Sequence, residues 1–304
     1  MGFRTIFVKN GDKLRLKLDN LIVEKSGESF TIPLDDIESI VLEGEYTTIT
    51  TRLMEKIAKH HIAVVFCDKT FHPCGIFLGT GQYHHSAKRA IWQSSWSDLM
   101  KKEAWTVIVS QKIKNQIRVA ELLNTTRERI ALMESLANDI VLGDETNREG
   151  MVAKVYFNSL YGMGFSREDN ILPNVCMNYG YSIIRAQVAR SIVAVGLLPM
   201  LGIFHKNEFN TFNLVDDLME PLRPMMDHYI LTNVLDESEN YLSYDKRLIL
   251  IDFLNQKIKI KNKKMYLNQA IDLYINSFIK AMEKADWSLI IPLDFNQYLE
   301  CAEK

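Results

Sequence analysis

At 304 residues the chain is longer than a single hydrophobic core usually supports, so two domains are expected. Its 47% hydrophobic and 24% charged content is ordinary for a globular, soluble protein, and a formal net charge of -2 argues against a uniformly basic nucleic-acid binder. Four scattered cysteines with no Cys-x-x-Cys pair exclude a zinc ribbon or a dithiol redox site and fit a reducing compartment.

Residues 1 to about 76 read as mostly β. The segments FRTIFV, LRLKLDNLIVEK and SFTIPLDDIESIVLEG are rich in β-branched residues, with turn signals at Asn10-Gly11 and Ser26-Gly27. TTRLMEKIAKH, Thr50 to His60, has helical spacing, and IAVVFCD after it has the continuous apolar character of a buried strand. Pro73, Gly75, Gly79 and Gly81 then mark a break. The expected division is a β-rich domain over 1–76, a flexible hinge over 77–86 and a larger all-α domain over 87–304, an α+β class overall. Helices are predicted to begin near Ala87, Ser94, Thr126, Asn147, Asn178 and Asn213, with Gly143 stopping one of them. Residues 256–267 alternate like a strand pair, with Asn262 and Lys263 as the turn. The longest uncharged apolar run, Ile192 to Phe204, holds 13 residues and Pro199, too short for the roughly 20 helical residues a bilayer requires. The N-terminus shows no signal-peptide core. A cytoplasmic protein with no membrane partner is the expectation.

Charge is unevenly spread. Five lysines and no acid lie between Lys257 and Lys264, whereas eight acids face only Lys206 and Arg223 between His205 and Asn240. A local acid excess needs cations. In that acidic stretch an apolar run with helical spacing leads to His205, and Asp217 and Glu220 follow three residues apart, a spacing that shares one helix face. An imidazole and carboxylate oxygens suit a divalent ion, Mg or Mn, with Glu149 of TNREGMVAKVYFNSLYG as a further ligand. Each residue also has a plainer reading. Thr146-x-x-Glu149 is a capping box. His205 is an ordinary half-buried histidine. Glu220 and Arg223 form a surface ion pair, and Asp216 and Asp217 are solvated. His60, His61, Cys67, His72 and Cys74 fit no zinc spacing. Lys88, Arg89, Lys112, Lys114 and Arg118, beside His84-His85, together with the lysine hairpin at 257–264, are candidate phosphate contacts, and edge protection is the competing reading of the hairpin.

The β-rich start, REGMVAKVYFNSLYG around Glu149, NYGYSII at 178–184, GIFH ending at His205 and DLMEPLRP at 217–224 together resemble the CRISPR-associated integrase/endonuclease family, the catalytic subunit of spacer acquisition, in its type II subgroup. The resemblance spans nearly the whole chain. It implies a β domain that mediates homodimerisation and a helical catalytic domain. It also implies a metal held by Glu149, His205 and Glu220, with Asp217 assisting; some relatives carry aspartate at the Glu220 position. The implied partners are double-stranded DNA, a small ferredoxin-like CRISPR-associated protein that completes a heterohexamer, and the type II effector nuclease. The implied activity is insertion of short duplex DNA into a CRISPR array by 3′-hydroxyl transesterification. The alternatives are a structure-specific nuclease for branched DNA and a non-catalytic DNA-binding scaffold.

Overall fold

The computed structural model describes residues 4–8, 13–25, 27–43, 46–69, 73–80, 85–235 and 240–302. The N-terminal part carries β1 (Arg4–Val8), β2 (Lys13–Lys17), β3 (Asn20–Lys25), β4 (Glu28–Pro33), β5 (Ile37–Leu42), β6 (Thr48–Ile49), helix α1 (Thr51–Lys59), β7 (Ala63–Cys67) and β8 (Pro73–Phe77). Two four-stranded sheets result, in orders β1-β5-β7-β8 and β4-β3-β2-β6. The segment SFTIPLDDIESIVLEG is not one strand: a short 3-10 turn at Leu34–Asp36 passes the chain from the second sheet to the first. Val8, Leu14, Leu21, Ile40, Leu53 and Ile57 form the core between the sheets and α1. Thr50 caps α1, its hydroxyl accepting from the Leu53 amide. The expected turns at Asn10-Gly11 and at Ser26 lie outside the described residues, as do His72, Gly81 and His84.

From residue 86 the chain is mainly helical: α2 (Ser86–Ser94), α3 (Asp98–Leu122), α4 (Arg127–Asn138), α5 (Arg148–Tyr161), α6 (Leu172–Ala194), α7 (Asn213–Leu218), α8 (Arg223–Asn233), α9 (Tyr244–Asp252), α10 (Leu267–Lys284) and α11 (Phe295–Ala302). The α+β class expected from the sequence is what the structure has. The helical part is not purely α, because β9 (Lys257–Ile260) and β10 (Lys263–Tyr266) form a hairpin within it. Its turn is Lys261-Asn262, both with positive φ, one residue earlier than the Asn262-Lys263 turn expected. β8 also runs one residue into the linker expected at 77–86.

Two helix boundaries differ from expectation in ways that matter for the site. α6 begins at Leu172, not near Asn178, with Pro173 in its first turn where a missing amide hydrogen costs nothing. It ends at Ala194, so the apolar run 192–204 is largely not helix. Gly196 takes a left-handed conformation just past the helix end, and the chain continues as irregular backbone to Phe212. Gly143 does not end α4, which stops at Asn138; it sits in a separate turn at φ 71°, against the Lys102 side chain.

α6 is buried on nearly all sides and carries the core of the helical part. The face of the β1-β5-β7-β8 sheet remote from α1 packs on it through Val41 and Val65. Buried charge fixes this contact. Arg190 of α6 pairs with Glu38 of β5 at 2.9 Å, and Arg247 of α9 pairs with Glu43 at 2.7 Å. Gln187 and Asn268 donate further hydrogen bonds to Glu38. Even so, burial raises the Glu38 carboxyl above its ordinary pKa, the pull of Arg190 only partly offsetting it.

Candidate active site

Three segments far apart in sequence meet along the middle of α3. The first is the start of α5. Asn147, in left-handed conformation, precedes it and accepts from the Gly150 amide at 3.3 Å, while the Asp144 carboxylate accepts from the amides of Arg148 (2.8 Å) and Glu149 (3.0 Å). The orphan donors of the first turn are thus satisfied by Asp144 and Asn147. The capping-box reading of Thr146 and Glu149 therefore does not hold, and the Glu149 carboxylate is free to reach inward, where it accepts from the Lys112 ammonium.

The second segment is the turn after α7. The helix stops at Leu218, and Glu220–Leu222 form a separate 3-10 turn, because Pro221 and Pro224 remove two amide donors a continuous helix would use. Asp217 and Glu220 consequently do different work. Glu220 is buried, with one oxygen 2.8 Å from Arg223 Nε and the other against Lys112 Nζ. The Glu220–Arg223 pair is therefore an interior pair rather than the surface pair expected. Arg223 itself lies over the Tyr181 ring at 4.7 Å. Asn115, one turn along α3 from Lys112, holds the Glu220 turn by donating to the Pro221 carbonyl at 2.8 Å.

The third segment is the loop bearing His205. It hangs on Asp217, which is fully buried. Asp217 Oδ2 accepts from the amides of Ile203 (2.7 Å) and Phe204 (3.1 Å); Oδ1 accepts from the His205 amide (3.1 Å) and lies 2.6 Å from His205 Nδ1. Phe204 stacks on Trp105 of α3 at 4.2 Å between centroids, and the His205 ring meets the same indole edge-on. Gly202 admits this packing: a Cβ there would lie 2.4 Å from the His205 carbonyl oxygen and 2.9 Å from Asp217 Oδ2. Neither Asp216 nor Asp217 is solvated; Asp216 is buried against Arg185 at 2.7 Å and Asn210 at 2.8 Å. A cleft of about 410 Å³ opens beside His205, with Lys101 and Lys206 among its lining residues.

The electrostatics follow from this packing. Burial opposes ionisation of Glu220, but Arg223 and Lys112 outweigh it and hold the carboxyl at about 2. Burial likewise works against charge on Lys112, and Glu220 and Glu149 together overcome it, raising its pKa. The hydrogen bond with Asp217 raises the His205 imidazole above its ordinary value against the effect of burial, with Glu220 and Asp216 adding to the rise. Deeper in, burial pushes Asp227 up to about 6 although Tyr181 and Tyr156 both donate to it.

The donor types fit a divalent cation. Glu149 and Glu220 already converge on one positive charge. Glu220 Oε2 is buried against the Lys112 ammonium. Carboxylate oxygens with one imidazole suit Mg or Mn, and a carboxylate on Nδ1 is the usual way to orient a ligating histidine. Among the described residues no three ligating side chains are gathered into a single cluster; His205 stands beside the Glu149–Glu220 pair.

The candidate phosphate contacts divide. Lys112 is corrected: it is buried inside the acidic pair, not on the surface. Arg89 pairs with Glu283 at 2.6 Å and covers Trp92; Arg118 pairs with Glu121 at 2.8 Å. Lys88 and Lys114 are exposed. In the lysine hairpin, Lys259 pairs with Glu300 at 2.9 Å and Lys257 lies over Tyr266. His60 is taken by Asp35 at 3.0 Å. Sequence reasoning missed Asn115 and Trp105, whose signal is only their position on the buried face of α3.

A family model described as CRISPR associated protein Cas1 matches residues 6–248. The chain belongs to the Cas1 family. A CRISPR-associated endonuclease Cas1 of Neisseria meningitidis serogroup C (strain 8013) is 38% identical over 281 residues, 91% of each chain. Two solved structures share the fold. A casposase bound to its integration product superposes with a TM-score of 0.71 at 18% identity, over 93% of this chain and 91% of that one. A Cas6-RT-Cas1–Cas2 complex gives 0.76 at 17% identity, over 96% of this chain and 36% of that much longer one. The family resemblance read from the sequence is thus upheld.

Proposed function

We propose that the protein inserts short duplex DNA into a CRISPR array. The 3′-hydroxyl oxygen of the incoming strand forms a new bond to a target phosphorus, and the bond from that phosphorus to the target-strand 3′ oxygen breaks. One phosphodiester replaces another, the hydroxyl proton passes to the departing oxygen through solvent, and no covalent enzyme intermediate is needed. The observation that carries this reading is the meeting of Glu149 and Glu220 at one cationic point beside the Asp217-held His205.

Glu149, Glu220 and the outward ring nitrogen of His205 would hold Mg or Mn. When bound, the ion would polarise the scissile phosphate and stabilise the charge developing on the attacking and leaving oxygens. Asp217 fixes the His205 ring, and Arg223 and Asn115 fix the Glu220 turn, so metal binding would have to displace Lys112 and bring His205 to the Glu149–Glu220 pair. Exposed Lys88 and Lys114, with Arg89 and Arg118 beside them, offer a path for the DNA backbone.

Two attacks on opposite strands call for two such sites, which supports a homodimer formed through the β domains. The likeness to a Cas1–Cas2 assembly supports a small ferredoxin-like partner and a heterohexamer, and the similarity to the Neisseria protein supports the type II setting with its effector nuclease. No helix among the described residues is long and apolar enough to cross a membrane, which agrees with a cytoplasmic role.

The test incubates the protein and its small partner with Mg or Mn, a short duplex and supercoiled plasmid. Covalent joining is expected, and it should vanish in Glu149→Ala and His205→Ala while duplex binding persists. Full joining in both variants removes the site assignment; cleavage of branched DNA without joining favours a structure-specific nuclease.

A further inference from the structure

We propose that Lys112 is the built-in counter-ion of this site. Its ammonium holds Glu149 and Glu220 together when no divalent ion is bound, and it competes with such an ion for the same two carboxylates. The proposal rests on the metal reading above and adds to it a residue whose role runs opposite to that of a ligand.

A lysine is among the residues least often buried, and when buried it is paired. Lys112 is drawn inside from α3, its side chain only 10% exposed, and it meets two carboxylates from separate elements, 37 and 108 residues on in the chain. Neutralising Glu220 does not require it, since Arg223 already pairs with the other oxygen at 2.8 Å. What Lys112 does that Arg223 does not is join the α5 start to the Glu220 turn. Without a cation there, two carboxylates pointing at one spot would repel and spread.

The ammonium lies against one oxygen of each carboxylate. A metal ion would bind both oxygens directly, without the hydrogen-bond geometry an ammonium needs. A dication also doubles the Coulomb attraction at the same distance. A lysine has the flexible four-carbon stem needed to withdraw, which an arginine fork lacks. Lys112 therefore keeps the two carboxylates assembled without a metal and sets a threshold that an incoming ion must exceed.

The experiment uses the full chain without DNA. Mn²⁺ affinity is measured by electron paramagnetic resonance of free Mn²⁺, and melting temperature is measured with EDTA and with Mn²⁺. Lys112→Met should melt several degrees lower in EDTA, bind Mn²⁺ about ten-fold more tightly or better, and gain more melting temperature from Mn²⁺ than the wild type does. Lys112→Arg should keep the EDTA melting temperature and bind Mn²⁺ no more tightly than wild type. If Lys112→Met fails to fold in EDTA, Mn²⁺ should restore folding. Mn²⁺ affinity equal to or weaker than wild type in Lys112→Met, or failure of saturating Mn²⁺ to rescue an unfolded variant, overturns the proposal. Failure of the metal reading itself looks different: adding Glu149→Gln or Glu220→Gln to Lys112→Met would leave Mn²⁺ affinity unchanged.

Discussion

Replacing Asp217 by asparagine tests the idea that this residue builds the His205 loop rather than facing a ligand. The carboxylate is fully buried and accepts from three consecutive backbone amides and from the His205 ring. Asparagine keeps one acceptor oxygen and turns the other position into a donor that faces N–H groups. With the oxygen on Ile203 and Phe204, the new NH2 can donate to an unprotonated His205 Nδ1 but leaves the His205 amide without its acceptor, and the charge-assisted character of all four bonds is lost. Hydrogen bonds to a charged acceptor contribute about 1.5–3 kcal/mol each, and a stranded buried donor costs about 1–3 kcal/mol. The Ile203 amide belongs to a buried residue, whereas Phe204 and His205 are partly exposed and can recover water, so the asparagine should turn its oxygen to Ile203 and release the His205 amide. The expected net loss is about 3 kcal/mol, or about 6–12 °C in melting temperature at the scaling of somewhat smaller domains. Urea titration should show a lower midpoint with an unchanged slope. In parallel the His205 ring resonance should titrate at lower pH, because the leading cause of its raised pKa is gone. A loss below about 1 kcal/mol together with an unmoved His205 titration would refute the loop-building role.

Gly202→Ala should do comparable damage from the opposite side, about 2–3 kcal/mol, because its Cβ would collide with the His205 carbonyl and Asp217; a urea midpoint at the wild-type value would contradict the close packing. Arg190→Met strands Glu38 in the sheet–helix contact and should cost about 3–5 kcal/mol, most of it recovered in the double change with Glu38→Leu; a double variant as unstable as the single would show the pair to be incidental. For pH, the raised His205 pKa means that the protonated His205–Asp217 pair stabilises the fold fully below the unfolded value near about 6.5 and that this contribution is lost as pH rises through the higher folded value. Melting temperature followed from pH 6 to 9 should therefore fall more steeply in the wild type than in His205→Gln.

Local chemistry was legible in the sequence where it acts locally. The helix after Thr50, the β-branched strands before it and the helical identity of residues 148–161 all follow from short-range pattern, and so does the change from β to α along the chain. The errors share one cause, which is that burial is decided by partners distant in sequence. The run from Ile192 to Phe204 is apolar enough to read as helix, yet Gly196 ends the helix and Pro199 and Gly202 shape a loop whose hydrogen bonds come from Asp217, a residue still to be reached. Glu220–Arg223 has the spacing of a solvated surface pair, and only the packing of α3 and α6 over it makes it interior. Lys112 looked like a phosphate contact because lysine on a long helix usually points to water; the acids that draw it inward sit 37 and 108 residues away. The pieces of the site were thus readable one at a time, while their partnership was not.

Charge balance explains why that partnership takes the form it does. Glu149 and Glu220 face Lys112 and Arg223, two anions against two cations, and Asp217 is matched by His205 when the imidazole is protonated. As it stands the centre is electrically neutral, which is what a buried cluster needs to be stable on its own. A dication added to that balance would bring two positive charges, which the departure of one resident cation and the loss of the His205 proton, needed before its ring can ligate, would offset. Lys112 is the cation able to withdraw, because Arg223 is pinned between Glu220 and the Tyr181 ring. On the proposed metal reading, the arithmetic that keeps the centre neutral with Lys112 in place would tie entry of the metal to the withdrawal of Lys112.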